Sequence, residues 1–237
     1  MAEVTHKSSE LPDEISPGFQ NLGLFSDHFL KARLPQWKEW QAAAEIRAFR
    51  KELLSLYESV KSALPHMNEA QTEEEFVQPV LDLLGYADSY AVQAPTKVGQ
   101  QTLRPDYALF PDVKAKNQAY AKFGKNDYSQ CIGIADAKYW ERELDRAKSS
   151  DRDTFGNQNP SFQIAAYLTG TKQTWGILTN GRLWRLYTAR SHMPLGNYYQ
   201  VDMLQLLERP DEDLNYFYLF FRKAALVQVD GKSFLDR

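Results

Sequence analysis

The pair Asn180-Gly181, set between the apolar runs Thr174–Thr179 and Leu183–Tyr187, constrains this chain more than any other feature. Asn and Gly tolerate the positive φ of a tight hairpin turn, so two runs rich in β-formers on either side of them pair antiparallel. Upstream, Asn159 is placed to cap and Pro160 to open a helix over Ser161–Gly170. Further strands are expected at Tyr90–Ala94, Leu103–Phe110, Gln130–Tyr139 and near Tyr198–Val201. Before them, Trp37, Trp40, Ala44, Phe49, Leu53, Leu56 and Val60 recur at helical spacing and predict a helix from Pro35 to about Leu64. A second helix is expected over Thr72–Leu84, with Thr72 as N-cap, a kink or late start at Pro79 and Gly85 as the stop. A last helix is expected from Asp211 to Val227. This order implies an α/β fold, a central mixed β-sheet flanked by helices. Residues 1–20 read as a polar arm, 21–68 as a helical extension, 69–205 as the core and 206–237 as a closing helix with the start of a linker.

Composition narrows the function. The 28 basic and 31 acidic residues leave a net charge of −3, which excludes a histone-like basic coat, so any nucleic-acid contact must be a local patch. The single Cys131 cannot form an intramolecular disulfide, and the four histidines are scattered, so a zinc site is not expected. The N-terminus has no apolar signal-peptide core and no run is long enough to span a bilayer, which points to the cytoplasm and no membrane partner.

Asp136-Ala137-Lys138 ends the apolar strand that begins at Cys131. With side chains alternating, Ile132, Ile134, Asp136 and Lys138 share one face, and the small residues Cys131, Gly133, Ala135 and Ala137 the other, open to close approach by another layer. Taken alone, the tripeptide reads as a partly exposed salt bridge. Arg104-Pro105-Asp106-Tyr107 in the preceding strand changes that. If the two strands pair antiparallel, Asp106 approaches Asp136, and two such carboxylates repel unless a cation lies between them. Oxygen ligands of this kind suit Mg²⁺, with Mn²⁺ able to substitute, and a neighbouring lysine can orient a water for attack on phosphorus. Glu73 shares a helical face with Val77, Val80 and Leu84, so it turns inward while Glu74 and Glu75 turn to solvent. Gln163 and Tyr167, four apart, share another helical face.

Together these residues resemble the PD-(D/E)XK nuclease superfamily with its QxxxY extension. The block Gln163-Ile-Ala-Ala-Tyr-Leu…Trp175-Gly-Ile-Leu-Thr-Asn-Gly-Arg-Leu-Trp-Arg-Leu-Tyr187 is similar to the nuclease end of type IIG fused restriction–modification enzymes and of type I restriction R subunits. Asn21-Leu-Gly-Leu-Phe-Ser-Asp-His-Phe-Leu…Leu34-Pro and Tyr216-Phe-Tyr-Leu-Phe-Phe-Arg222 extend the likeness to the fused type. The resemblance implies a restriction-endonuclease-like core in a prokaryotic cytoplasm that hydrolyses duplex DNA. It implies Asp106, Asp136 and Glu73 around Mg²⁺, Lys138 on the attacking water, and Gln163 and Tyr167 as the QxxxY pair. It further implies a methyltransferase and specificity region after Arg237 in the same polypeptide. Position 136 is Asp where Glu is commoner. Arg104, Arg142, Arg146 and Lys172 are candidate DNA contacts beside the site, with Lys148, Arg152, Arg182, Arg185 and Arg190 further basic residues. The polar stretch from Pro111 to Ser129 reads as a loop able to touch DNA. Asn159-Pro160-Ser161-Phe162 lacks the second proline of an amino-methyltransferase signature, and no Gly-rich methyl-donor loop accompanies it. The apolar segment Leu214–Leu226 is expected to leave a patch uncovered, for self-association or a missing domain.

Overall fold

A computed structural model of the chain describes residues 18–98, 101–146, 159–193 and 195–237. The expected arm beyond residue 17 is overturned at its end, where Phe19–Asn21 forms edge strand β1 and Phe19 is buried. Residues 1–17 lie outside the described residues.

The first long helix is α1, Ala43–Val60, shorter than the run expected from Pro35. Its buried residues Ile46, Phe49 and Leu53 repeat at three and four, the period of one apolar face. Trp37 and Trp40 precede it in turns. A tight turn over Leu34–Gln36 ends at Trp37 with extended backbone, which lets Trp37 reach Phe234 and Trp40 reach Tyr216.

Residues 69–86 form a helical segment that contains α2 (Glu69–Thr72) and α3 (Gln78–Leu81) and whose helical backbone stops at Gly85, at φ +89°, the stop expected from the sequence. It starts three residues before the expected cap. Asn68, not Thr72, is the N-cap, in a reciprocal capping box with Gln71. Pro79 sits within the run without ending it. The preceding turn, Glu73–Val77, is widened, with the Gln78 amide donating to the Glu73 carbonyl five residues back, and this loosening accommodates the proline ring.

Then come β2 (Tyr90–Val92), β3 (Thr96–Val98), β4 (Gln101–Leu103), β5 (Tyr107–Leu109), α4 (Val113–Phe123), β6 (Gly133–Ala137), α5 (Pro160–Thr171), β7 (Trp175–Thr179), β8 (Leu183–Thr188) and β9 (Tyr199–Asp202). The expected strand over Leu103–Phe110 is split at Pro105, which cannot donate to a ladder. The expected loop from Pro111 to Ser129 is corrected: it contains α4, capped by the Asp112 carboxylate on the Ala115 amide. Seven strands form one sheet in the order β1-β9-β8-β7-β6-β5-β2, and β3-β4 is a separate hairpin. Among the described strands only β6 and β7 pair parallel, because α5 crosses between them. The Asn180-Gly181 hairpin forms, with Gly181 at φ +83°. Asn180 Oδ1 accepts from the Arg182 and Leu183 amides.

Tyr107, Leu109, Ala135 and Ala137 face the layer built by α1, residues 69–86 and the C-terminal helices. Ala108 faces α4 and Ile134 faces α5, so those two helices cover the other side.

The C-terminal segment runs through α6 (Met203–Leu207), α7 (Asn215–Phe221) and α8 (Lys223–Leu226). The single helix expected from Asp211 is broken at Arg222, whose backbone is extended. The break drops Leu226 onto Gly133, where even a Cβ would stand 2.6 Å from Leu226 Cδ2. The small-residue face of β6 thus receives its layer. Along α7 every residue except Tyr218 is buried. The expected leftover patch is therefore absent, and with it the structural basis for self-association through this segment. Leu30, Leu53, Trp184, Phe217 and Phe234 belong to one continuous core, so the extension, the core and the closing segment share it. Among the described residues no helix is long and apolar enough to cross a membrane.

Candidate active site

The antiparallel register Tyr107↔Ala135 sets Asp106, one residue before β5, opposite Asp136 near the end of β6. Asp106 Oδ2 accepts from the Ala137 amide at 2.8 Å. Asp136 is 1% exposed, Lys138 7% and Asp106 9%. Lys138 Nζ lies 2.7 Å from Asp136 Oδ2 and donates to the Ala137 carbonyl. Neither Asp136 oxygen receives a well-directed hydrogen bond, although both are buried. An ion pair with no good hydrogen bond leaves the carboxylate's lone pairs available for a ligand.

Burial pushes the Asp106 carboxyl well above the usual carboxylate range, and the adjacent Asp136 adds to it. Burial alone would lower Lys138, but Asp136, Asp106 and Glu69 outweigh it and keep the ammonium charged. Glu73 reaches the site from the 69–86 run, half-buried, its Oε2 accepting from the Tyr107 hydroxyl at 2.7 Å. Its carboxyl is raised by burial, countered by that hydrogen bond and raised further by Asp136. From α5, Gln163 brings a buried Oε1 with no partner. Tyr167 is raised by burial and next by the charge of Asp136, so it lies within the field of the acid pair.

Glu69 was missing from the sequence reading. Its Oε1 stands 3.8 Å from Lys138 Nζ. It is four residues before Glu73, hence on the same helical face, a signal hidden when the helix is started at Thr72.

The candidate DNA contacts divide. Arg104 and Arg146 are exposed, Arg104 two residues before Asp106. Arg142 is corrected: it is 1% exposed and its Nη1 donates to the Glu143 and Arg146 carbonyls, stapling the loop after β6. Lys172 follows α5 and lines a cavity with Cys131 and Ile132, at the opposite end of β6 from Asp136. Arg182 and Arg185 are held by Asp202 and Asp145. Lys148 and Arg152 lie outside the described residues.

Two facing carboxylates, an ammonium, an amide and a phenol can bind a hard cation and polarise an anionic substrate. Asp136, whose oxygens meet no well-directed hydrogen bond beyond the Lys138 ion pair, fits a cation that takes one or two carboxylates and keeps waters, as Mg²⁺ does. A ready-made cage is not present: among the described residues no three His, Cys, Asp or Glu side chains meet as a metal cluster, and Glu73 is engaged by Tyr107.

Asp106→Asn is expected to stabilise the metal-free protein by about 1–2 kcal/mol, since it removes one of two crowded buried charges. The sign follows from the raised carboxyl. Such a group costs nothing below its unfolded value and destabilises as pH rises through its folded one. The gain should vanish near pH ~4 and grow toward pH ~8 in urea melts. A variant less stable than the wild type at the higher pH would contradict this.

No family model, curated protein or solved structure matches the chain.

Proposed function

We propose that this chain is a metal-dependent endonuclease domain that hydrolyses phosphodiester bonds of duplex DNA, the cleavage module of a restriction–modification enzyme. The observation that carries the reading is Asp136, a buried carboxylate with no good hydrogen bond, set beside Asp106 and Lys138 at the end of a sheet strand. The resemblance to the PD-(D/E)XK superfamily agrees with it and extends it to a methyltransferase and specificity partner.

In this reading Asp106 and Asp136 hold Mg²⁺ or Mn²⁺, which as a Lewis acid would stabilise charge on the phosphate oxygens. Lys138, whose ammonium stands 2.7 Å from Asp136 Oδ2, would orient the attacking water. Asp106 keeps its position through the Ala137 amide. Gln163 offers its unpartnered carboxamide oxygen as an acceptor to the substrate or to the Lys138 surroundings. Glu73 and Glu69 hold the acidic wall opposite α5. A second reading, a non-catalytic DNA-binding or assembly module, is favoured by the closed Lys138–Asp136 pair and the lack of a three-donor cluster among the described residues.

Plasmid nicking by the purified chain separates the two. Cleavage is expected with Mg²⁺ or Mn²⁺ and none in excess chelator, while Ca²⁺, with its looser geometry, supports binding without turnover. Chelator-resistant cleavage, or wild-type rates in Asp136→Ala, would overturn the metal mechanism.

A further inference from the structure

The helix that replaces the expected polar loop carries a charge pattern of its own. Lys114, Lys116 and Lys122 lie on α4, Lys125 follows it, and the helix holds no acid. Lys97 on β3 joins them, because Asn126 Oδ1 accepts from the Lys97 amide. Lys97, Lys114 and Lys125 are exposed, and Lys116 and Lys122 are half-buried on the flanks of the Ala115–Ala119–Phe123 stripe. No carboxylate among the described residues lies within 4.0 Å of any of these five ammonium groups. Several arginines, by contrast, are paired, as Arg182 with Glu141, Arg209 with Asp213 and Arg190 with Asp236.

Lys122, in the last turn, suits the helix dipole, but the lysines at the other end do not. Lys114 and Lys116 sit in or near its first turn, where the macrodipole disfavours cations. Lys114, Lys122 and Lys125 have no acid at i±4, and the one acid four residues from Lys116, Asp112, caps the helix on the Ala115 amide. The nearby acids are turned to backbone: Asp112 caps α4 and Asp127 accepts from the Ser129 amide. Tyr120, 57% exposed, stands among the lysines. The platform is anchored: Asn126 Nδ2 donates to the Gly170 carbonyl at the end of α5, at 3.1 Å. Since α4 packs on Ala108 and α5 on Ile134, which pair in register, both helices stand on the same face of the sheet. By alternation the Asp136 side chain points to that face too.

We propose that Lys114, Lys122 and Lys125, which fall on one side of α4 at 100° per residue, grip, together with Lys97, the phosphate backbone of the duplex that the acid site cuts; this rests on the nuclease reading above. From Lys114 to Lys125 the helical rise covers about 16 Å, roughly five phosphates of one strand at ~3.4 Å each along the axis. Two or three lysines engaged at once would supply a sequence-independent grip in a chain whose net charge is −3.

The test is fluorescence anisotropy of a duplex of about 30 base pairs with the wild-type chain in chelator, titrated from about 50 to 200 mM salt. The substitutions Lys114→Gln, Lys122→Gln and Lys125→Gln are combined in one variant. Its affinity is expected to fall about 10²-fold at ~0.1 M salt, and the log–log salt slope to flatten by about 2–3. Lys31→Gln, Lys38→Gln and Lys51→Gln together, on the other side of the sheet, should leave both unchanged. A combined variant that binds with wild-type affinity and slope overturns this proposal and leaves the nuclease reading standing. A wild-type chain that does not bind duplex DNA overturns both. Loss of duplex RNA binding with DNA binding retained assigns the face to RNA and rejects the proposal. If the combined variant does not melt cooperatively, Lys114→Gln and Lys125→Gln decide singly, each expected to cost about 5–8-fold, and unchanged binding rejects it.

Discussion

Exchanging Lys138 for methionine is expected to lower the proposed cleavage by ~10²–10⁴-fold and to cost about 3–5 kcal/mol of stability near neutral pH. The methionine fills nearly the same stem volume, so the effect isolates the ammonium. Lys138 is the cation 2.7 Å from Asp136, and Asp136 stands against Asp106, whose carboxyl burial has already raised. Without the ammonium, two buried carboxylates face each other uncompensated, and the pair answers by taking up a proton. That gives a direction in pH. An acid whose folded value is raised contributes nothing adverse below the unfolded carboxylate range and destabilises progressively as pH rises through the folded value. The deficit of Lys138→Met should therefore be small near pH ~4 and largest near pH ~8, read as urea midpoints with m unchanged. A deficit independent of pH, or none at all, would mean that the ion pair does not hold this corner of the sheet.

Arg185→Ala is expected to cost about 3–5 kcal/mol, and to depress cleavage as well. Arg185 is a strand residue of β8, 4% exposed, and so is corrected from a phosphate contact to an internal clamp. Its fork donates to Asp145 at 2.6 and 2.8 Å, and its Nε to Gln200 at 2.6 Å. Its guanidinium also lies 4.2 Å from the Tyr198 ring centroid. Truncation leaves the Gln200 Oε1 without its buried donor, while the Tyr187 hydroxyl keeps Ser161 Oγ. It also releases residue 145, next to Leu144, whose carbonyl accepts from Ser161 Oγ in the first turn of α5. That turn sets the azimuth of Gln163 and Tyr167. Arg185→Lys keeps the charge but not the fork and should recover only part of the loss. Wild-type urea midpoints in Arg185→Ala would show that the clamp is not a structural support.

How much of this was legible depends on the range of the interaction. Period-two alternation placed Asp136 and Ile134 on one face and Gly133, Ala135 and Ala137 on the other, and the structure uses both; Cys131, expected with the small residues, packs instead on the α4 side. Ile132 lies outside β6 and packs into the core on the opposite side, because the strand begins only at Gly133. Glu73 turned inward as its helical phase required. The helix α4 went unread because its buried stripe is only Ala115, Ala119 and Phe123, too weak an apolar signal among lysines.

Local pattern by itself determined the hairpin at Asn180-Gly181, the start of α5 at Asn159-Pro160, the α/β class and the acids and lysine at the strand end. Those features depend on φ preferences, caps and side-chain alternation, all settled within a few residues. Tertiary structure alone decided that β6 and β7 run parallel, that Glu69 joins Lys138 and that Arg142 and Arg185 go inside. It also decided that the last helix breaks at Arg222 so that Leu226 can lie on Gly133. The reason is physical: burial and charge pairing are properties of what the folded sheet brings together across dozens of residues, and no local period records them.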